Sequence, residues 1–197
     1  MDLGKLAVRG TVGALFVGHG TQKLFGWFGG HGMEGTAGFF ESLGLRPGKR
    51  HASAAGVSET VGGALLTLGA FTPIASGLIT GTMMTAIRKA HIKQGPWVTN
   101  GGYEYNAVLI ATMLVLAESG PGRPSVDEAR FPWMRGKGFA LAQFAAAAAG
   151  SYLATERFSV DEQAPAPSEG EAQIGGDPAS PRQHCFTRDE FEVPSGS

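Results

Sequence analysis

Residues 52–90 read ASAAGVSETVGGALLTLGAFTPIASGLITGTMMTAIRKA, and this stretch decides the fold. It contains two apolar segments, residues 52–71 and 73–90. Only Thr72 separates them, and Pro73 is the first residue of the second segment. Proline is favoured at the first position of a helix. Each segment is near the ~20 residues that a helix needs to cross a bilayer core of ~30 Å. The stretch therefore predicts two transmembrane helices joined in a tight hairpin.

Three further apolar segments flank this hairpin, at residues 3–28, 103–117 and 138–155, and they carry few charges. The first of them is interrupted by polar residues 19–23. Glycines are abundant, as in the GxxxG pair of Gly77 and Gly81, which suits close helix packing in lipid and would weaken a soluble helix. A buried soluble bundle is the alternative interpretation. We predict an all-α membrane protein with a four-helix transmembrane bundle, a fifth C-terminal hydrophobic helix and a disordered acidic tail.

Three regions follow from these segments. We assign residues 1–127 to the bundle, 128–160 to the additional helix and 161–197 to the tail. The tail holds five prolines and has eight acidic residues against two arginines, a charge of −6 that leaves +5 for the preceding residues. Such a composition cannot bury enough apolar surface to fold alone. The single cysteine, Cys185, lies in this tail, which excludes an intrachain disulfide.

A loop rich in glycine and aromatic residues follows the first segment. Residues 36–43 within it read TAGFFESL and predict a short helix on the membrane surface. Residues 30–35 match GxGxxG, but no strand precedes them and no βαβ pattern follows, so we reject a dinucleotide site. The apolar body and the acidic tail give no support for nucleic-acid binding.

Polar side chains gather at one end of the predicted bundle. In an up-and-down arrangement, the end of the first helix, the start of the second, the end of the third and the start of the fourth share one membrane face. The opposite face, near Thr72 and Glu118, is expected to be nearly bare of ionisable groups. The polar face would hold His19, Gln22, Lys23, His51, Glu59, Arg88, His91, Tyr103, Glu104, Tyr105 and Asn106. We predict a polar pocket at that face.

Glu59 is the strongest candidate for chemistry in this pocket. It lies about 12 Å below the start of its segment, and an ionisable group at such depth is costly and usually functional. Lys23, Arg88 and His19 are its candidate partners. We take Glu59, His19 and His91 as candidate catalytic residues, with Glu59 as a proton acceptor or an ion-pair anchor. A buried ion pair that only holds the helices in register is the alternative.

The candidate ligand-binding residues around Glu59 are Gln22, Lys23, Trp27, Trp97, Tyr103, Glu104 and Asn106. The tryptophans would line a slot for a quinone ring, although they are equally typical of an interface belt. A metal or haem is disfavoured because no HExxH-type spacing is present, so we predict no metal site. The cofactor stays open, with a quinone as the candidate.

At these residues the chain resembles the DoxX family of small bacterial membrane proteins. The matching stretches are residues 19–45, 58–73 (SETVGGALLTLGAFTP), 81–91 (GTMMTAIRKAH) and 99–106 (TNGGYEYN). The resemblance implies a multi-pass protein of the bacterial plasma membrane that serves sulfur-, thiol- or quinone-linked redox metabolism and oxidative-stress defence. It also implies redox partners of the superoxide dismutase and sulfurtransferase types.

Two other functions stay open at this point. One is a non-enzymatic membrane scaffold that recruits soluble redox enzymes through the tail, and the other is a small-molecule transporter. Transport ranks lower because the polar groups gather at one face instead of lining a full path. A homo-oligomer is compatible with the sequence. The basic residues divide six against eight between the two faces, which does not set the membrane orientation.

Overall fold

The computed structural model describes residues 1–157, and the predicted tail at 161–197 lies outside the described residues. Within the described part, the chain forms seven α-helices and no strand, which confirms the all-α prediction. Two π-helical turns, Ile87–His91 and Leu153–Arg157, extend the fourth and seventh helices. The helices are α1 (Leu3–Phe25), α2 (Gly32–Ser42), α3 (Gly48–Leu68), α4 (Thr72–Ala86), α5 (Glu104–Ser119), α6 (Val126–Arg130) and α7 (Lys137–Tyr152).

The five long helices, α1, α3, α4, α5 and α7, occupy the five apolar segments of the sequence. Helix α1 runs without a break through the polar residues 19–23, where the apolar pattern is interrupted. It ends at Gly26, whose φ of 74° is favourable only for glycine. Helix α2 forms in the glycine-rich loop and packs against α1 and α3. Judged by length and mean hydropathy, no helix within residues 1–157 qualifies as a membrane span.

Helices α1 and α3 form the most extensive interface, and glycines bring their backbones together. A Cβ atom added at Gly13 would lie 2.6 Å from the carbonyl oxygen of Gly63, and one added at Gly20 would lie 2.6 Å from that of Gly56. Real Cβ atoms do not approach so closely. The two helices can therefore pack in this way only because these positions carry no side chain.

Helix α4 is the centre of the bundle, because it packs against α3, α5 and α7. The GxxxG pair of the sequence faces α7. A Cβ atom at Gly77 would lie 3.6 Å from Cβ of Gln143, and one at Gly81 would lie 3.9 Å from Cβ of Ala147. The apolar core between the helices contains Phe16, Leu66, Ala75, Ile79, Leu109, Met113 and Leu116.

The end of the bundle near Thr72 and Glu118 carries buried ionisable groups, so the expectation that this end is nearly bare is wrong. The guanidinium of Arg9 donates hydrogen bonds to the backbone carbonyls of Thr67 and Pro124. The carboxylate of Asp127 accepts two backbone N–H groups at the start of α4. Arg9 and Asp127 are only 3% and 2% exposed. The short helix α6 folds back under the helix ends and brings Asp127 there.

Candidate functional site

A cavity of about 1000 Å³ lies between α1, α3, α4 and α7, and the ends of α2 and α5 complete it. Apolar side chains form most of its lining. Leu15, His19 and Phe39 belong to this lining and are exposed, so the cavity opens at the protein surface. Its polar lining consists of His19, Lys23, His51, Ser58, Glu59, Thr82, Thr85, Lys89, His91, Tyr105, Asn106, Gln143 and Ser151.

An ion pair between Lys23 and Glu59 forms part of the cavity wall. Nζ of Lys23 lies 2.6 Å from Oε2 of Glu59, and the two side chains are 25% and 6% exposed. The close contact of Gly20 with Gly56 brings the last turn of α1 next to α3, which places the two groups within reach. Of the three candidate partners of Glu59, the structure pairs it with Lys23. Glu59 is thus a deeply buried carboxylate, and its counter-ion, the Lys23 ammonium, is partly exposed.

His19 lies at the mouth of the cavity, one turn before Lys23. Its Nδ1 is hydrogen-bonded to Oε1 of Gln22 at 3.2 Å, and its ring packs edge-on against Phe16. Nε2 of Gln22 donates to the carbonyl of Phe28 at 3.4 Å, which ties the end of α1 to the following turn. Gln22 faces a second, smaller cavity of about 270 Å³, which it shares with Lys23.

His91 reaches the cavity from the π-helical turn that continues α4. Such turns are frequent at functional sites because the extra residue redirects the side chains. Nδ1 of His91 lies 2.7 Å from the carbonyl oxygen of Gly101. A carbonyl oxygen can only accept, so Nδ1 carries the hydrogen of this bond. Asn106 also lines the cavity, and its Nδ2 donates to Sδ of Met83 at 3.2 Å.

The other predicted ligand-binding residues lie outside the cavity lining. Trp27 and Trp97 are 57% and 63% exposed. Tyr103 precedes α5, and Oε1 of Glu104 accepts the backbone N–H of Val98 at 2.9 Å, which closes the loop before α5. Within residues 1–157, no three His, Cys, Asp or Glu side chains gather closely enough to hold a metal ion.

His51 contributes an imidazole to the cavity just before the second apolar segment begins. Burial lowers the pKa of His51, and the neighbouring charges of Arg50 and Lys89 lower it further, while a hydrogen bond with the backbone of Arg46 opposes them. The residue as a whole is 8% exposed. A lowered pKa keeps this ring neutral near pH 7, so that it adds a hydrogen-bonding group without a charge.

Helix α7 supplies two features that the sequence analysis did not identify. Gln143 lines the cavity and is only 6% exposed. At the end of α7, Glu156 lies 2.9 Å from Nη2 of Arg88, and Thr155 accepts a hydrogen bond from Nη1 of Arg88 at 3.0 Å. One glutamine in an alanine-rich apolar segment was the available signal for Gln143. The Arg88 contacts join residues that are far apart in the sequence, so no local pattern predicts them.

Comparison with known proteins agrees with the resemblance seen in the sequence. The model of the DoxX family matches residues 4–92. A Bacillus subtilis (strain 168) protein described as "Putative oxidoreductase CatD" is 34% identical over 118 residues, which cover 60% of this chain and 81% of that relative. No solved structure matches the chain. The match to the family model, together with the identity to a relative covered over most of its length, shows that the chain belongs to the DoxX family.

Proposed function

We propose that this protein is a membrane-bound redox subunit that binds a lipophilic quinone in the large cavity, beside Lys23 and Glu59. The observation that carries the proposal is the ion pair of these two residues in the wall of a cavity of about 1000 Å³ whose lining is otherwise mostly apolar. Membership of the DoxX family and the relative described as an oxidoreductase support a redox role.

The exposed side chains of the bundle support the proposal that the protein lies in a membrane. Large apolar side chains are exposed on α1, α3, α5 and α7, and contiguous exposed apolar surface is typical of proteins that contact lipid or other proteins. Trp27 and Trp97 are exposed at one end of the bundle and Trp133 at the other, as in the aromatic belts of membrane proteins. The exposed apolar side chains include Leu15, Val57, Val61, Val108, Val115, Leu141 and Phe144. We therefore propose a multi-pass protein of the bacterial plasma membrane.

The character of the cavity favours a quinone over a small sulfur anion. Lys23 is neutralised by Glu59, whereas Lys89 shares the single carboxylate of Glu156 with Arg88. The preference for a quinone therefore rests on the mostly apolar lining, in which a small anion would lose its hydration. A ring with two carbonyl oxygens and an apolar tail matches a mostly apolar lining with a few polar groups. Reduction of a quinone consumes two electrons and two protons. We propose that a redox partner that oxidises two thiols to a disulfide supplies the two electrons and releases two protons, and that Glu59 passes one proton to the quinone while solvent supplies the other.

The test is the Glu59→Gln variant, assayed for quinone reduction with the purified redox partner in detergent. A positioned proton-transfer group contributes about 100-fold or more to a rate, so turnover should fall by about that factor. The matched control is Glu34→Gln, because Glu34 also pairs with a lysine, Lys49, but is an exposed residue of α2. Unchanged turnover of Glu59→Gln would exclude the proton-transfer role, and an equal loss in both variants would assign the loss to general charge effects.

A further inference from the structure

Gln143 lies in the wall of the cavity, and its buried amide would meet a ligand there after a rotation of its side chain. It lies in the middle of α7, is 6% exposed, and belongs to the cavity lining. Among the described residues, neither Nε2 nor Oε1 of its amide has a hydrogen-bond partner. The glycine opposite, Gly77 of α4, leaves room beside it, since even a Cβ atom at that glycine would lie 3.8 Å from Oε1 of Gln143.

A buried amide without partners is unfavourable, because it has lost its hydrogen bonds to water and gained none in return. Buried polar groups in proteins are nearly always paired. An apolar side chain of the same length would fill the same position on α7 without this cost. The amide of Gln143 is therefore the kind of group whose partner comes from a ligand in the cavity.

We propose that Gln143 is a specificity-determining residue, which hydrogen-bonds the oxygen of a neutral carbonyl- or hydroxyl-bearing ring held in the cavity. This inference rests on the proposed function, and it names the group that selects the ligand. Nε2 can donate to a carbonyl oxygen, and Oε1 can accept from a hydroxyl group. One amide therefore serves both the oxidised and the reduced form of such a ring, and it favours both over a hydrocarbon of the same shape.

The position of Gln143 separates this role from that of Glu59. Helix α7 lies beyond residue 92, where the match to the DoxX family model ends. Gln143 is carried by α7, whereas Lys23 and Glu59 are carried by α1 and α3. The cavity thus combines polar groups from the family region with a selecting group from a helix outside it.

The experiment compares the binding of two probes of similar shape, a decyl-substituted naphthoquinone, which has two carbonyl oxygens, and decylnaphthalene, which has none. Both are titrated by calorimetry into the full-length protein in lipid nanodiscs. One net hydrogen bond corresponds to about a tenfold change in affinity, so the wild type should prefer the quinone by at least about that factor. Gln143→Met, which has nearly the same shape, should lose most of the preference. Gln94→Met makes the same chemical change at an exposed residue outside the cavity lining and should retain it.

Gln143→Met replaces an unpaired amide with an apolar side chain, so we expect it to fold, and its melting temperature is measured alongside. If the wild type binds both probes equally or binds neither, the proposal is wrong. An unchanged preference in Gln143→Met also overturns it, whatever the melting temperature. The proposed function is tested separately. If the wild type prefers the quinone probe but Glu59→Gln reduces quinone at the normal rate, the proton-transfer role of Glu59 is wrong and the assignment of Gln143 still holds.

Discussion

Oδ2 of Asp127 accepts the backbone N–H of Thr72 at 2.7 Å, and thereby caps the first turn of α4 from a helix 55 residues further along the chain. Oδ1 of the same carboxylate accepts the N–H of Phe71, also at 2.7 Å. Phe71 has a φ of 47°, a left-handed conformation that is unfavourable for a residue with a side chain. Asp127 therefore holds a strained turn and places a negative charge at the positive end of the helix dipole.

Removal of this cap should destabilise the whole bundle, because α4 contacts three other helices. We expect Asp127→Ala to lower the free energy of unfolding by about 2 kcal/mol, within the range for hydrogen bonds to a buried charged group. Thermal unfolding in detergent micelles measures the loss. Glu118→Ala, at an exposed position of the same end, should have little effect. Equal melting temperatures for the two variants would contradict the capping role.

The Lys23–Glu59 pair can be tested for structural importance apart from chemistry. Lys23→Met leaves the buried carboxylate of Glu59 without its cation, and we expect a loss of about 1–3 kcal/mol, discounted because Lys23 is partly exposed. The double variant Lys23→Met/Glu59→Met removes both charges and should recover most of that loss. The three free energies of unfolding, combined with that of Glu59→Met, give the coupling between the residues. A coupling near zero would show that the two groups act independently.

Replacement of glycine by alanine should destabilise the α1–α3 interface but be tolerated at the α4–α7 interface. Gly20→Ala would place Cβ 2.6 Å from the backbone oxygen of Gly56, so α1 must move away from α3, and overpacking of this kind costs about 1–3 kcal/mol. Gly77→Ala meets Gln143 at ordinary van der Waals distances of 3.6–3.8 Å. It should be neutral or slightly stabilising, because alanine is the better helix former. Melting temperatures of both variants test the contrast, and a larger loss for Gly77→Ala would refute it.

The stability that Glu156 contributes to the contact between α4 and α7 should depend on pH. The charge and hydrogen bond of Lys89, together with Arg88, lower the pKa of Glu156 below its ordinary value of 4.5. A lowered folded-state pKa stabilises the fold above the unfolded-state value, and this stabilisation is lost as the pH falls through the folded-state pKa. The difference in melting temperature between wild type and Glu156→Gln should be present at neutral pH and shrink below pH 4.5.

High salt should reduce the difference in melting temperature between wild type and Glu156→Gln at neutral pH. The ion pairs of Glu156 are partly exposed, so dissolved ions screen them. A difference that stays constant from neutral to acidic pH would show that Glu156 acts through packing alone. The comparison uses Glu156→Gln at every pH, so that unrelated titrations of the protein cancel.

The helices could be predicted from the sequence because each long helix coincides with an apolar segment bounded by glycine, proline or polar residues. The predicted helix at residues 36–43 is likewise present as part of α2, Gly32–Ser42. The sequence left three candidate partners for Glu59. A helical pattern shows on which face of its own helix a side chain lies, but it does not give the distance of that side chain to another helix. The close approach at Gly20 and Gly56 selects Lys23.

The buried groups at the other end of the bundle could not be predicted in the same way. Arg9 reaches carbonyl oxygens of Thr67 and Pro124, and Asp127 reaches the start of α4. These partners lie 55 or more residues apart and are backbone atoms, which leave no trace in the side-chain pattern. The same limit applies to Gln143, since its unpaired amide becomes evident only once α7 lies against α4.

The glycine contacts between α1 and α3 also determine which part of the molecule can adapt to a ligand. Their backbones touch at Gly13 and Gly20, so these helices cannot slide or approach further. The contacts of α7 with Gly77 and Gly81 have ordinary van der Waals spacing. The wall of the cavity that carries Lys23 and Glu59 is therefore packed backbone against backbone, while the wall that carries Gln143 is packed less closely at these two glycines. We expect a bulkier ligand to be accommodated by a displacement of α7, while the Lys23–Glu59 ion pair keeps its position.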